Sequence, residues 1–278
     1  VVPILFVVFL DLVGFGMVIP ILPFYAERLG IAPSLIIFLF GLYSLGQLIG
    51  APVWGAASDR VGRKPILLAT LAANAAANML LAVASDGWQL GLSRLVAGLA
   101  AGNISTAYAY VADVTDDLTR PRALGLLGAG FGFGFIVGPA IGGMLAGEGS
   151  DNIARVAHGA AIMSAMAFLA TLFFLRESHG REKRLAHAHH VREPRLRLLR
   201  RPVLGQLLVA TMVVIGAVSM LHSSYSIWGA TYLGFSARTL GWIFGFIGVL
   251  SVMIQGGGIG ILTRRFGAPH LTHGGVYM

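Results

Sequence analysis

The chain contains no cysteine and very little charge. Without a thiol among its 278 residues, it can build neither a disulfide framework nor a thiolate metal site. Asp, Glu, Lys and Arg make up only 12% of it, about half the share of an ordinary soluble domain. Acid is scarcer than base, with 12 residues against 20. No Ser/His/Asp set, phosphate-binding loop or metal constellation falls at a useful spacing, so the chain does not read as an enzyme and implies no cofactor and no metal. Gly128, Gly130, Gly132 and Gly134 do not make G-x-G-x-x-G, which removes a dinucleotide reading. The chain opens Val1-Val2-Pro3 inside an apolar run. With no start methionine and no cleavable signal pattern, it reads as truncated at the front.

What is present is apolar. Hydrophobic residues make up 56% of the chain and mean hydropathy is +0.78. A helix crossing a bilayer needs about 20 apolar residues. Eight stretches qualify: 3–26, 35–54, 66–84, 90–111, 123–146, 156–175, 203–228 and 240–262, and residues 271–278 read as the start of a ninth. Helices are expected because backbone groups in lipid need internal partners, and the alternation of barrel strands is missing. Glycine, at 38 residues, suits helices that pack closely. The fold class is therefore an all-α polytopic membrane protein.

The cations sort by loop. Those after spans two, four, six and eight hold 16 of the 20 Lys and Arg. The opposite loops hold Arg28, Arg155 and Arg238, and Arg94 lies within a span. This bias places the N-terminus and the basic loops in the cytoplasm. The net charge of +8 is thus a topology signal, not a nucleic-acid footprint, which would need cations gathered on one folded face. Segment 176–202 is polar and basic and carries His179, His187, His189 and His190. It reads as a cytoplasmic linker attracted to anionic lipid. It divides the chain into a six-helix bundle at 1–175 and a partial second bundle at 203–278.

The densest charge knot is at residues 55–65, between two uncharged runs, and reads as the turn of a membrane hairpin. A degenerate copy, with the same glycine spacing, ends span eight at Gly260 and Gly267. The two suggest a parallel repeat of two six-helix halves.

These residues carry a family resemblance. Residues 55–64 resemble the signature G-x-L-A/S-D-R-x-G-R-K/R of the major facilitator superfamily, with Ala57 in place of its leucine. Gly134, Gly138, Pro139, Gly142 and Gly143 match the antiporter motif G-x-x-x-G-P-x-x-G-G in span five. Arg94, Gly98 and Gly102 resemble the span-four motif, with Ala97 where glutamine is frequent. Residues 11–23 look like span one of the 12-helix drug:proton antiporters. Ala112-Asp113-Val-Thr and Glu177-Ser-His resemble the tetracycline-efflux branch. The exporters of that branch carry a histidine four residues before a glutamine in span eight. Here Gln255 is preceded by Ser251, which turns the reading from tetracycline toward a related multidrug or metabolite exporter. The resemblance also implies that spans nine to twelve are missing.

It further implies proton-coupled export of small amphiphilic compounds by alternating access, in the bacterial inner membrane, by a protein that is a monomer. A sugar-derivative or metabolite exporter, or a truncated fragment that does not transport, are the alternatives. Asp11 lies about 12 Å into the bilayer at about 1.5 Å per residue, where an ionisable group is a candidate proton carrier. The resemblance makes Arg94 the second proton-coupling residue and places it near Asp11, joined directly or through water or a polar side chain. Gly55, Asp59, Arg60, Gly62, Arg63 and Asp113 are implied to form a conformational latch, in which Arg63 pairs with Asp113 and Asp59 meets a helix end of the other half. The glycines of span five form a groove for a neighbour, and Pro139 bends the helix. Gln47, Asn74, Asn78, Asn103, Tyr108, Ser223, Tyr225 and Gln255 are candidates to line the substrate cavity.

Overall fold

The computed structural model describes residues 1–147, 153–180 and 228–253, with Gln206, Val209, Val213, Leu221, Ser224, Tyr225 and Arg265 besides. The other positions, including Ser223, Gln255, the Gly260–Gly267 repeat and the histidines after His179, lie outside the described residues. The helices are α1 (Val2–Val18), α2 (Leu22–Arg28), α3 (Pro33–Val61), α4 (Arg63–Ala82), α5 (Gly87–Ala100), α6 (Asn103–Val114), α7 (Arg120–Ala146), α8 (Ile153–Phe174) and α9 (Ala237–Met253). Among the described residues six stretches are long and apolar enough to cross a membrane, from Val2–Arg28 to Ala154–Phe174. They coincide with the first six expected spans.

Three boundaries differ from the sequence reading, each for a local reason. Span one is two helices, because Pro20 and Pro23 carry no N–H for the carbonyls four residues earlier. Span four is also two helices, interrupted at Ala101 and Gly102. The interruption takes the Leu99 carbonyl out of the regular ladder, and the indole Nε1 of Trp54 donates to it at 2.7 Å. The third difference lies at 55–65, which is not a loop. Helix α3 continues to Val61, α4 begins at Arg63, and Gly62 alone makes the reversal.

Side chains close some of the helix ends. Asp86 accepts from the Gln89 amide at 2.8 Å, while Gln89 Oε1 accepts from the Ser85 amide at 2.9 Å. This reciprocal arrangement is a variant of the capping box. The Tyr25 hydroxyl donates to the Ala84 carbonyl and ties the ends of α2 and α4. Before α7, the hydroxyl and amide of Thr119 both donate to Asp116, and these bonds hold its carboxyl below the ordinary range.

Packing follows small residues. Helix α1 lies against α7 and α8, α3 against α5, and α4 against α8. At the α3–α5 crossing a methyl on Gly46 would come within 2.5 Å of the Leu95 carbonyl oxygen, and one on Gly98 would strike the Tyr43 carbonyl. Outward-facing side chains include Leu48, Phe173 and Phe174, which suits contact with lipid tails as apolar as leucine.

The crossing makes a test. Gly98→Ala is expected to lose about 1–3 kcal/mol through overpacking. Gly128, with open space around it, should gain up to about 1 kcal/mol as alanine from helix propensity. Thermal unfolding in detergent reads both, and shifts of the same sign would contradict the crossing.

Candidate functional site

Two polar centres stand out in an otherwise apolar bundle. The first is Asp11, which is buried on α1. Asn74 on α4 donates Nδ2 to its Oδ1 at 2.8 Å, and Asn103, the first residue of α6, donates to its Oδ2 at 2.6 Å. Each carboxylate oxygen thus has a neutral donor. Three spans converge on this group because each supplies one member. Asn74 and Asn103, two of the residues expected to line a substrate cavity, thus donate to Asp11. Asn103 begins α6 at the break in span four, so the free amide end of that helix is turned to the same region, a setting that favours negative charge.

Arg94 on α5 is also buried. It does not bridge to Asp11: no ion pair joins them, and its hydrogen bond runs from Nε to Ser93 Oγ at 3.4 Å. Its Nη2 has no partner. Tyr43 of α3 packs its backbone on Gly98, one turn of α5 beyond Arg94. Tyr43 also starts an aromatic chain. Its ring centroid is 5.0 Å from that of Phe15, which meets Phe135 edge-on at 5.9 Å. Sequence reasoning missed Tyr43, Phe15 and Ser93, since an aromatic or serine within an apolar run carries no signal of what it faces.

The second centre is the charged knot where α3 turns into α4. Arg63 is buried. It donates from Nε to Asp113 Oδ2 at 3.0 Å and from Nη1 to Asp59 Oδ1 and Ser58 Oγ, each at 2.6 Å. Glu177, just beyond α8, accepts from the amides of Arg63 and Lys64 at 2.9 and 3.2 Å and from the His179 amide at 2.9 Å. It thereby caps the first turn of α4, where a carboxylate is favoured. Ser178 Oγ donates to Asp113 at 3.3 Å, and His179 Nδ1 lies 3.5 Å from the same oxygen. Arg60 is exposed. The knot ties α3, α4, α6 and the segment after α8. Glu177, Ser178 and His179 entered the sequence reading only as a family-like run, because a separation of 114 residues hides the contact with Arg63.

Gly62 is obligatory here. Its backbone has φ 121° and ψ 161°, a region that is essentially glycine's alone. A methyl there would also approach the Glu177 carboxylate to 2.5 Å.

The remaining candidates divide. Gly134, Gly138 and Gly142 face α1, where methyls would come within 2.5–2.7 Å of Leu12, Val13 and Met17. Gly143 and the Pro139 carbonyl face α9 at Gly241, while the Pro139 ring faces Gly16 of α1, and α7 continues through Pro139 to Ala146. The groove thus has two sides and holds two helices. Asn78 is buried and donates to Ser164 Oγ at 3.4 Å, a link between spans three and six. Gln47 is half-buried with no hydrogen bond, Gly55 lies near Ser105, and Tyr108 stacks on Phe131 at 6.2 Å. Tyr225 meets Trp228 and Phe244, each at 6.1 Å. Among the described residues no group of three or more His, Asp or Glu is placed to hold a metal.

Comparison with known proteins follows the same lines. A sequence model described as Major Facilitator Superfamily matches residues 4–276. The chain is 32% identical over 265 residues to the class C tetracycline resistance protein of Escherichia coli, covering 93% of this chain and 66% of that protein. It is 27% identical over 269 residues to multidrug resistance protein 2 of Bacillus subtilis (strain 168), covering 95% and 66%. The chain thus spans about two thirds of the length of these curated relatives. Among solved structures, the human organic anion transporter MFSD10 superposes with a TM-score of 0.70 at 25% identity, over 92% of this chain and 70% of that one. A bacterial homolog of the human lysosomal transporter Spinster, inward-facing and unoccupied, superposes with a TM-score of 0.73 at 16% identity, over 96% and 62%. That second likeness speaks for the fold.

The turn gives a direct test. Gly62→Ala is expected to cost about 1–3 kcal/mol from backbone strain, with a further loss from crowding Glu177. A melting temperature in detergent equal to that of the parent protein would contradict the turn geometry.

Proposed function

As this chain belongs to the major facilitator superfamily, a family of transporters and not of enzymes, we propose that it works as a proton-coupled exporter of small amphiphilic compounds. The observation that carries the reading is Asp11, an acid buried mid-span and held by neutral donors from two other spans. Neutral donors leave its charge uncancelled, so taking up a proton removes an electrostatic cost that no ion pair offsets. The named functions of its relatives, tetracycline and multidrug resistance, support a drug-like cargo. Ser251 in place of a histidine argues for a cargo other than tetracycline.

In this reading the transporter alternates between two states with access to opposite sides. Protonation of Asp11 and binding of cargo favour different states, and differential affinity drives the exchange. The knot of Asp59, Arg60, Gly62, Arg63 and Asp113 is the latch. Each charge at a helix end contributes roughly 0.3–1 kcal/mol, and several together bias an equilibrium between states of similar energy. The groove at Gly134–Gly143 seats α1 on one side and α9 on the other, which supports a seal against leak at the junction of spans five and eight. The protein lies in the bacterial inner membrane as a monomer among lipids. Its N-terminus and the basic segment 176–202 face the cytoplasm, between the bundle at 1–175 and the second at 203–278.

Asp11→Asn tests the coupling. In vesicles with an imposed pH gradient, the variant is expected to lose gradient-driven export to the level of protein-free vesicles, while downhill movement of cargo continues. Undiminished gradient-driven export by the variant would overturn the assignment.

A further inference from the structure

Arg94 poses a problem that the proton-coupling reading leaves open. The residue is 4% exposed, yet among the described residues no acid pairs with its charge. Its hydrogen bond goes to the neutral Ser93 hydroxyl at 3.4 Å, and Nη2 has no partner. Both oxygens of Asp11, the other buried charge of this region, are already taken by Asn74 and Asn103. A buried cation without an anion is costly, and arginine presents a planar fork shaped for an oxyanion. Tyr43 of α3 lies against Gly98, one turn of α5 beyond Arg94. From there the rings of Tyr43, Phe15 and Phe135, from spans two, one and five, run in contact. Phe135 is exposed over about a third of its surface.

We infer that Arg94 anchors an oxyanion on the cargo, and that the preferred cargo is an aromatic compound bearing an ionised acid group. The acid accepts from Nη2, and the aromatic body lies along Phe15, Tyr43 and Phe135. The inference rests on the export reading and narrows its substrate class. It also assigns separate work to the two buried charges, with Asp11 for the proton and Arg94 for the cargo.

The test is equilibrium binding to the whole chain in lipid nanodiscs at neutral pH, with no gradient. The probes are 2-naphthoate and its uncharged isostere 2-naphthamide. The parent protein is expected to bind the carboxylate at least about tenfold more tightly, the effect of one charge-assisted hydrogen bond. Arg94→Gln should bring the ratio to about one, and Arg94→Lys should keep most of it. Equal binding of the two probes by the parent protein, no saturable binding of 2-naphthoate, or a preference that survives Arg94→Gln would each overturn the inference. The parent ratio decides the matter even if a variant fails to fold. Failure here leaves proton-driven export standing, since no gradient is used. Acid-selective binding without proton coupling would overturn the export reading alone.

Discussion

A carboxylate inside a bilayer must bring its own donors, and much of this bundle is arranged around that requirement. Asp11 cannot reach water from the middle of α1, so Asn74 and Asn103 come to it from spans three and four. A hydrogen bond to a charged group contributes roughly 1.5–3 kcal/mol, and a lost partner leaves the full desolvation cost. Three spans are therefore fixed in depth and rotation by one side chain. The close crossings follow the same constraint. Gly134, Gly138 and Gly142 bring α7 onto α1, and Gly46 and Gly98 bring α3 onto α5.

The break in span four belongs to this arrangement. It starts a new helix at Asn103, beside Asp11, and the carbonyl freed at Leu99 is taken by Trp54. The charged knot obeys a different rule. There Arg63 finds two acids, Asp59 and Asp113, and Glu177 closes the open amides of α4. In the knot a buried cation meets two acids, while around Asp11 only neutral amides donate. Ion pairs hold a structure together, and an unpaired acid is left free to change its charge.

Much of the fold was legible from apolar run length alone, because the bilayer demands a fixed length of helix. Six spans fall close to the expected bounds, with span two running on past residue 54 to Val61. Run length says nothing of breaks inside a span, so the interruptions near Pro20 and at Gly102 were not foreseen. Charge density at 55–65 suggested a loop, but helical hydrogen bonding persists through Asp59 and Arg60 until Gly62 permits the reversal. At the site, Asp11 and Arg94 were visible because charge is rare in a span. Their partners were not. An asparagine in an apolar run is equally suited to cargo, to a neighbouring helix or to an acid, and only the packing assigns Asn78 to Ser164 and Asn74 to Asp11. Tyr43 was invisible for the same reason.

The account depends on Asp11 changing its protonation while buried. Infrared difference spectroscopy between acid and alkaline conditions observes this directly, through the C=O stretch of a protonated carboxyl. The account predicts a band that grows on acidification, disappears in Asp11→Asn, and moves in frequency in Asn103→Ala as one hydrogen bond is removed. A spectrum in which no carboxyl band depends on Asp11 at any pH would contradict it.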